Sequence, residues 1–150
     1  MREMTCYIIG EEKEAHYVIM STLKLGIIIQ VPYKSGIYVG EIVEDRGDNY
    51  LIKTLAVLKH PMQGDLHHPK QVENVIFHER KALSQYEKFN ALKDIVTAYT
   101  EPVPDYSASL KNSVIAYKEK LANKTNDYNT AALKALETVE SSYYLGRYYD

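Results

Sequence analysis

The sequence predicts an α+β protein, a small SH3-like β-barrel followed by a C-terminal helical hairpin. Two patterns and one break predict it. Short β-branched runs between turn clusters fill residues 25–101, and apolar residues at helical spacing fill residues 102–150. Between them Pro102 and Pro104 interrupt helix and strand alike. The expected organisation is an N-terminal extension over residues 1–24, the barrel over 25–101 and a helical subdomain over 102–150, packed on the barrel.

In chain order, residues 26–31 form a β-branched run stopped by Pro32, and residues 37–43 form a second. Gly36 and Gly40 stand at turn or bulge positions. Asp45, Arg46, Gly47, Asp48 and Asn49 make a turn cluster, so 37–43 and 50–58 should pair as a hairpin. A long loop follows over residues 59–71, punctuated by Pro61, Gly64 and Pro69. Strand character returns at 72–78 and 82–89, and more weakly at 95–99. Such short strands suit a barrel, because closure removes exposed sheet edges.

Asp105 is placed to cap a first helix, whose stripe is Tyr106, Leu110, Val114, Tyr117 and Leu121. Ile115 falls off that stripe and is a candidate partner contact. Thr125 or Asn126 caps a second helix with an apolar face of Ala132, Leu136, Val139 and Tyr143, and Gly146 is its stop.

Composition narrows the function classes. Lys and Arg number 18 against 20 Asp and Glu, for a net charge of −2. Residues 1–99 hold 12 against 13 and the remainder 6 against 7, so neither part is the basic surface that nucleic-acid binding favours. Cys6 is the single cysteine, which excludes an internal disulfide. No apolar run is long enough to span a bilayer, and Glu11, Glu12, Lys13 and Glu14 break any signal-peptide core. These features point to the cytosol.

The most unusual segment carries Lys59, His60, Gln63, Gly64, Asp65, His67, His68 and Lys70. Imidazole and carboxylate are good zinc ligands, so a small metal protein or enzyme built on His60, His67 and His68 is one reading. Against it, adjacent side chains in an extended segment point to opposite sides, and His60 and His68 both precede proline. The competing reading is an ordered loop, either a partner-contact surface or one whose His and Asp only hold it closed. His78, Glu79, Arg80, Lys81 and Ala82 begin like a zincin helix, but Ala82 stands where the second histidine belongs. The same His-Glu pair also suggests a kinase phospho-acceptor box, yet 75–77 read as strand. Glycine-rich nucleotide loops and nucleophile elbows are absent from the sequence. The 14 tyrosines suit interfaces, since a tyrosine buries area and keeps a polar tip.

Read together, residues 33–42, 55–61, 63–69, 77–83, 103–106 and 109–110 resemble the kinase-associated protein B family of spore-forming bacilli, over roughly residues 25–121. The resemblance implies a small barrel with trailing helices and no enzymatic activity or cofactor. It also implies service as accessory to a membrane sensor histidine kinase that feeds the sporulation phosphorelay. The family's older label includes "lipoprotein", but Glu3, Met4 and Thr5 before Cys6 are not a lipidation box. Membrane proximity would then come through the kinase. Because the resemblance begins near Leu25, residues 1–19 are expected to lie outside the fold, with Met20 as an alternative start. A barrel that binds RNA or DNA stays as a third reading.

Overall fold

The computed structural model describes residues 23–146. The expectations for residues 1–22 of the N-terminal extension, Met20 included, lie outside the described residues. Five strands form one antiparallel sheet: β1 (Ile28–Tyr33), β2 (Gly36–Arg46), β3 (Asn49–Lys59), β4 (Lys88–Leu92) and β5 (Thr97–Ala98). Their order is β4-β3-β2-β1-β5, which leaves β4 and β5 at opposite edges of an open sheet. The α+β class holds; the strand pairing does not close the sheet into a barrel.

The hairpin of β2 and β3 is the long spine of the sheet, pairing from Ile37 with Lys59 to Arg46 with Asn49. At its tip Gly47 takes φ +79° and donates its N–H to Asp45 Oδ1 at 3.1 Å. The register slips between Val39 and Gly40, the bulge expected at that glycine. Alternation along β3 buries Tyr50, Ile52, Thr54 and Ala56 on one face.

Two later expectations need correction. Residues 72–78 form no strand, and the strand expected over 82–89 lies instead at Lys88–Leu92. Residues 82–87 run beside β3 with few ladder bonds, Tyr86 N–H to Thr54 O at 2.7 Å and Thr54 N–H to Glu87 O at 2.9 Å. The β-branched run at 72–76 is largely exposed and has no facing strand to satisfy its backbone.

Past β5 come α1 (Tyr106–Ala122) and α2 (Asp127–Leu145). Asp105 caps α1 through Ala108 N–H and Asn126 caps α2 through Asn129 N–H. Gly146 ends α2, its N–H bonded to Ser142 O at 2.9 Å. The expected stripes are the buried faces, with Tyr117 only half-buried. They meet Tyr38 and Val57 of the sheet in one core cluster. A second cluster fills the other part of the sheet around Ile29, Val31, Ile42, Ile52, Phe89 and Val96. Tyr33 and Leu83 pack against both clusters, joining them.

Candidate functional site

Residues 60–87 connect β3 to β4 without helix or strand. A structureless connection this long must satisfy its backbone groups some other way, or stay wet and loose. Tyrosine hydroxyls do much of that work here. Gln63 N–H donates to the Tyr117 hydroxyl at 2.9 Å, and the Tyr128 hydroxyl donates to Gln63 O at 2.7 Å. Ala82 N–H donates to the Tyr143 hydroxyl at 2.8 Å and Leu83 N–H to the Tyr38 hydroxyl at 3.3 Å. The Tyr106 hydroxyl donates to Leu83 O at 2.5 Å. Four of these rings stand on the helices and Tyr38 on β2, so the connection is pinned from both sides.

The two ends of the connection also bind each other. Gln63 Oε1 accepts Arg80 N–H at 2.8 Å, while its Nε2 donates to Arg80 O at 3.0 Å and Pro61 O at 3.2 Å. The Gln63 amide thus acts as a strand partner for Arg80. Gly64 N–H donates to His78 O at 2.9 Å, and the Arg80 guanidinium donates to Gly64 O. Gly64 holds φ +105°, and a Cβ there would meet the Phe77 ring at 3.1 Å, so glycine is required.

His60 is buried with 1 % exposure. Its Nδ1 lies 2.9 Å from Pro61 O and its Nε2 2.7 Å from the Tyr143 hydroxyl. A carbonyl only accepts, so Nδ1 carries the proton and Nε2 accepts from Tyr143. Burial pushes the imidazole down to about 4, against the Pro61 carbonyl bond and the charge of Glu140, which both favour the cation. The ring is therefore neutral near pH 7.

The residues singled out in the sequence divide into two groups. His60, Gln63 and Gly64 are interior, so they position the loop and present no surface. Lys59, His67 and His68 are exposed, and Asp65 is half-buried beneath the two histidines. Asp65 Oδ1 accepts His67 N–H at 2.9 Å and its Oδ2 meets His68 Nδ1 at 3.1 Å. His68 first, and then the His67 N–H, hold the Asp65 carboxyl below the usual carboxylate range. Ile115 is exposed on α1, at the off-stripe place its spacing implied. Among the described residues no three His, Cys, Asp or Glu side chains gather as metal ligands. His60 turns inward to Tyr143 while His68 pairs with Asp65, so the three histidines do not converge.

The tyrosine anchors escaped the sequence reading apart from their apolar spacing. The signal available was the surplus of tyrosine over the two phenylalanines and no tryptophan. A hydroxyl in a core position implies a buried partner that needs it.

The loop opens onto hollows at its boundary with the helices. One, of about 340 Å³, lies between Lys70 and the α1–α2 turn, over Tyr117 and Tyr128. A second, of about 120 Å³, adjoins it between Lys59 and α1.

A sheet-and-hairpin protein with a hydroxyl-pinned loop, in which no three metal-ligating side chains gather among the described residues, is the class these observations define. Comparison with known proteins gives the family. Residues 33–144 match the model of the kinase associated protein B family, and the chain belongs to that family. It is 42 % identical to the kinase-associated lipoprotein B of Bacillus subtilis (strain 168) over 125 residues, 83 % of this chain and 98 % of that protein. The crystal structure of kinase-associated protein B from Bacillus cereus superposes with a TM-score of 0.70 at 30 % identity, covering 82 % of this chain and 99 % of that one. No helix among the described residues is long and apolar enough to cross a membrane.

Proposed function

We propose that this chain is a non-enzymatic accessory protein that binds a sensor histidine kinase of the sporulation phosphorelay. In this reading it acts from the cytoplasm, reaching the membrane surface through that kinase. The Bacillus subtilis relative is named a lipoprotein, so its own attachment is a separate question from this chain's. The observation that carries the reading is the construction of the 59–70 segment. Its interior half is fixed by buried and part-buried hydrogen bonds, while Lys59, His67 and His68 are exposed. A surface fixed before binding loses less entropy on association than a loose loop. Asp65 supports that surface from beneath, and Ile115 on α1 is a second candidate contact.

Purified cytoplasmic portions of sensor histidine kinases, titrated one at a time against the full chain, test the proposal. A kinase should bind, and His67→Ala with His68→Ala should weaken binding at an unchanged melting temperature. Binding by no kinase, or equal loss of binding and of stability, would remove the accessory reading or the loop's contact role respectively.

A further inference from the structure

We propose that the two adjoining hollows between the 59–70 segment and the helices form one cationic groove that takes an acidic polypeptide segment of the partner. This inference rests on the partner-binding reading above and names the chemistry of the contact. The hollows share Met62, Tyr117 and Lys120 as a common wall. Together they bring Lys59, Lys70, Lys120 and Lys124 onto one channel, and no carboxylate lines either hollow. In a chain of net charge −2 that is a local inversion of sign. Four separate parts of the chain supply the cations: the end of β3, the histidine loop, the last turns of α1 and the α1–α2 turn. None of the four ammonium groups enters an ion pair among the described residues. Elsewhere the protein does pair its lysines, as with Lys93 and Asp45 at 2.8 Å or Lys118 and Glu140. Beyond Tyr128 the lining changes, since Glu73 and Asp127 appear there with Lys70, and the cationic stretch ends.

Like charges held together without counterions repel each other, and a ligand of opposite sign relieves that repulsion on binding. The choice of a polypeptide over a lipid surface follows from shape. A bilayer can reach lysine heads on a rim, but not a recessed floor of Tyr117 and Tyr128. A strand or loop carrying Asp or Glu beside one aromatic residue can fill both levels.

The test uses the full chain and a fluorescein-labelled, glutamate-rich peptide with one central phenylalanine. Its counterpart carries glutamine at each glutamate. The groove variant is Lys70→Glu, Lys120→Glu and Lys124→Glu combined. The control is Lys24→Glu, Lys88→Glu and Lys134→Glu, which changes net charge equally away from the groove. The acidic peptide should bind the natural chain, more weakly as salt rises, and the glutamine peptide should not. The groove variant should lose about tenfold or more in affinity, as three exposed pairs imply, while the control stays within about threefold. No binding of the acidic peptide at low salt overturns the proposal, as does equal loss in both variants. Phosphatidylglycerol vesicles bound in place of the peptide, and lost in the groove variant, overturn it in favour of a lipid surface. A kinase that binds the natural chain and the groove variant equally refutes the groove alone, leaving the accessory reading intact.

Discussion

The Tyr143 hydroxyl lies 2.7 Å from His60 Nε2 and also accepts Ala82 N–H at 2.8 Å, so one oxygen ties α2 to both ends of the connection between β3 and β4. All three groups are buried. Tyr143→Phe keeps the ring and deletes that oxygen, leaving an imidazole nitrogen and an N–H unpaired. Each orphaned group costs about 1–3 kcal/mol, so the variant should lose about 2–6 kcal/mol in denaturant unfolding. Tyr86→Phe, on an exposed ring, should change stability by less than about 0.5 kcal/mol. Similar small effects for both would mean that the hydroxyl contributes nothing to holding the loop.

The neutral His60 makes stability depend on pH in a defined window. In the unfolded chain the imidazole titrates near 6.5, in the folded protein at about 4. Between those values the unfolded state binds more protons, so stability rises with pH across the window. The contribution is complete above about pH 6.5 and is lost as pH falls through about 4, at most about 3 kcal/mol. Urea midpoints measured from pH 4 to 7 should therefore climb, and His60→Gln should flatten the climb. An equally steep profile in His60→Gln would assign the dependence to other groups.

Gln63 offers a test of polarity at fixed shape. Its Oε1 faces an N–H, but its Nε2 faces the carbonyls of Pro61 and Arg80. Gln63→Glu puts an anionic oxygen against those two carbonyls in a buried place. The variant should lose about 2–4 kcal/mol at pH 7 and recover part of that on acidification, when the carboxyl again offers a proton. A loss that does not change with pH would show that the carboxylate's charge is not its cause, and no loss would show that the amide's donors are dispensable.

Much of this architecture was legible because it rests on local rules. The β2–β3 hairpin followed from the cluster around Gly47, the bulge from Gly40, and the helices from Asp105, Asn126 and their apolar stripes. The run around Val75 and Ile76 misled because β-branched residues mark a strand only where a neighbouring strand accepts their backbone, and none lies alongside. The histidine loop was legible as special but not in its division of labour. His60 and Gln63 are polar residues that look exposed in the sequence, and their partners lie up to 83 positions away at Tyr143. Such pairings exist only once the helices dock. The lysine groove was invisible for the same reason, since Lys59, Lys70, Lys120 and Lys124 are dispersed along an evenly charged chain.

Gly40 is fixed by space. A Cβ there would lie 2.4 Å from Ile52 Cγ2 and 2.8 Å from Lys53 O, both held in the sheet. Gly40→Ala must push β2 from β3 at the bulge and should cost about 1–3 kcal/mol. Gly47→Ala meets no atom within 4 Å, and its cost comes only from φ +79°, so it should be the milder change. The reverse order would place the constraint in backbone conformation at the tip.

Thr54 gives a prediction of opposite sign. It is fully buried at the centre of β3, with its N–H and C=O bonded to Glu87 and Tyr86. Its hydroxyl has no hydrogen-bond partner among the described residues. A buried hydroxyl in that state carries a desolvation cost without compensation. Thr54→Val keeps the branched shape, removes the polar atom and preserves the backbone bonds, so it should stabilise the protein by about 1 kcal/mol. Thr54→Ser keeps the hydroxyl and removes the methyl, and should destabilise by about 1 kcal/mol instead. Opposite signs for the two variants identify the orphaned hydroxyl as the cause. If Thr54→Val also destabilises, the oxygen is bonded in solution, and a buried water that it shares with neighbouring carbonyls becomes the partner to locate.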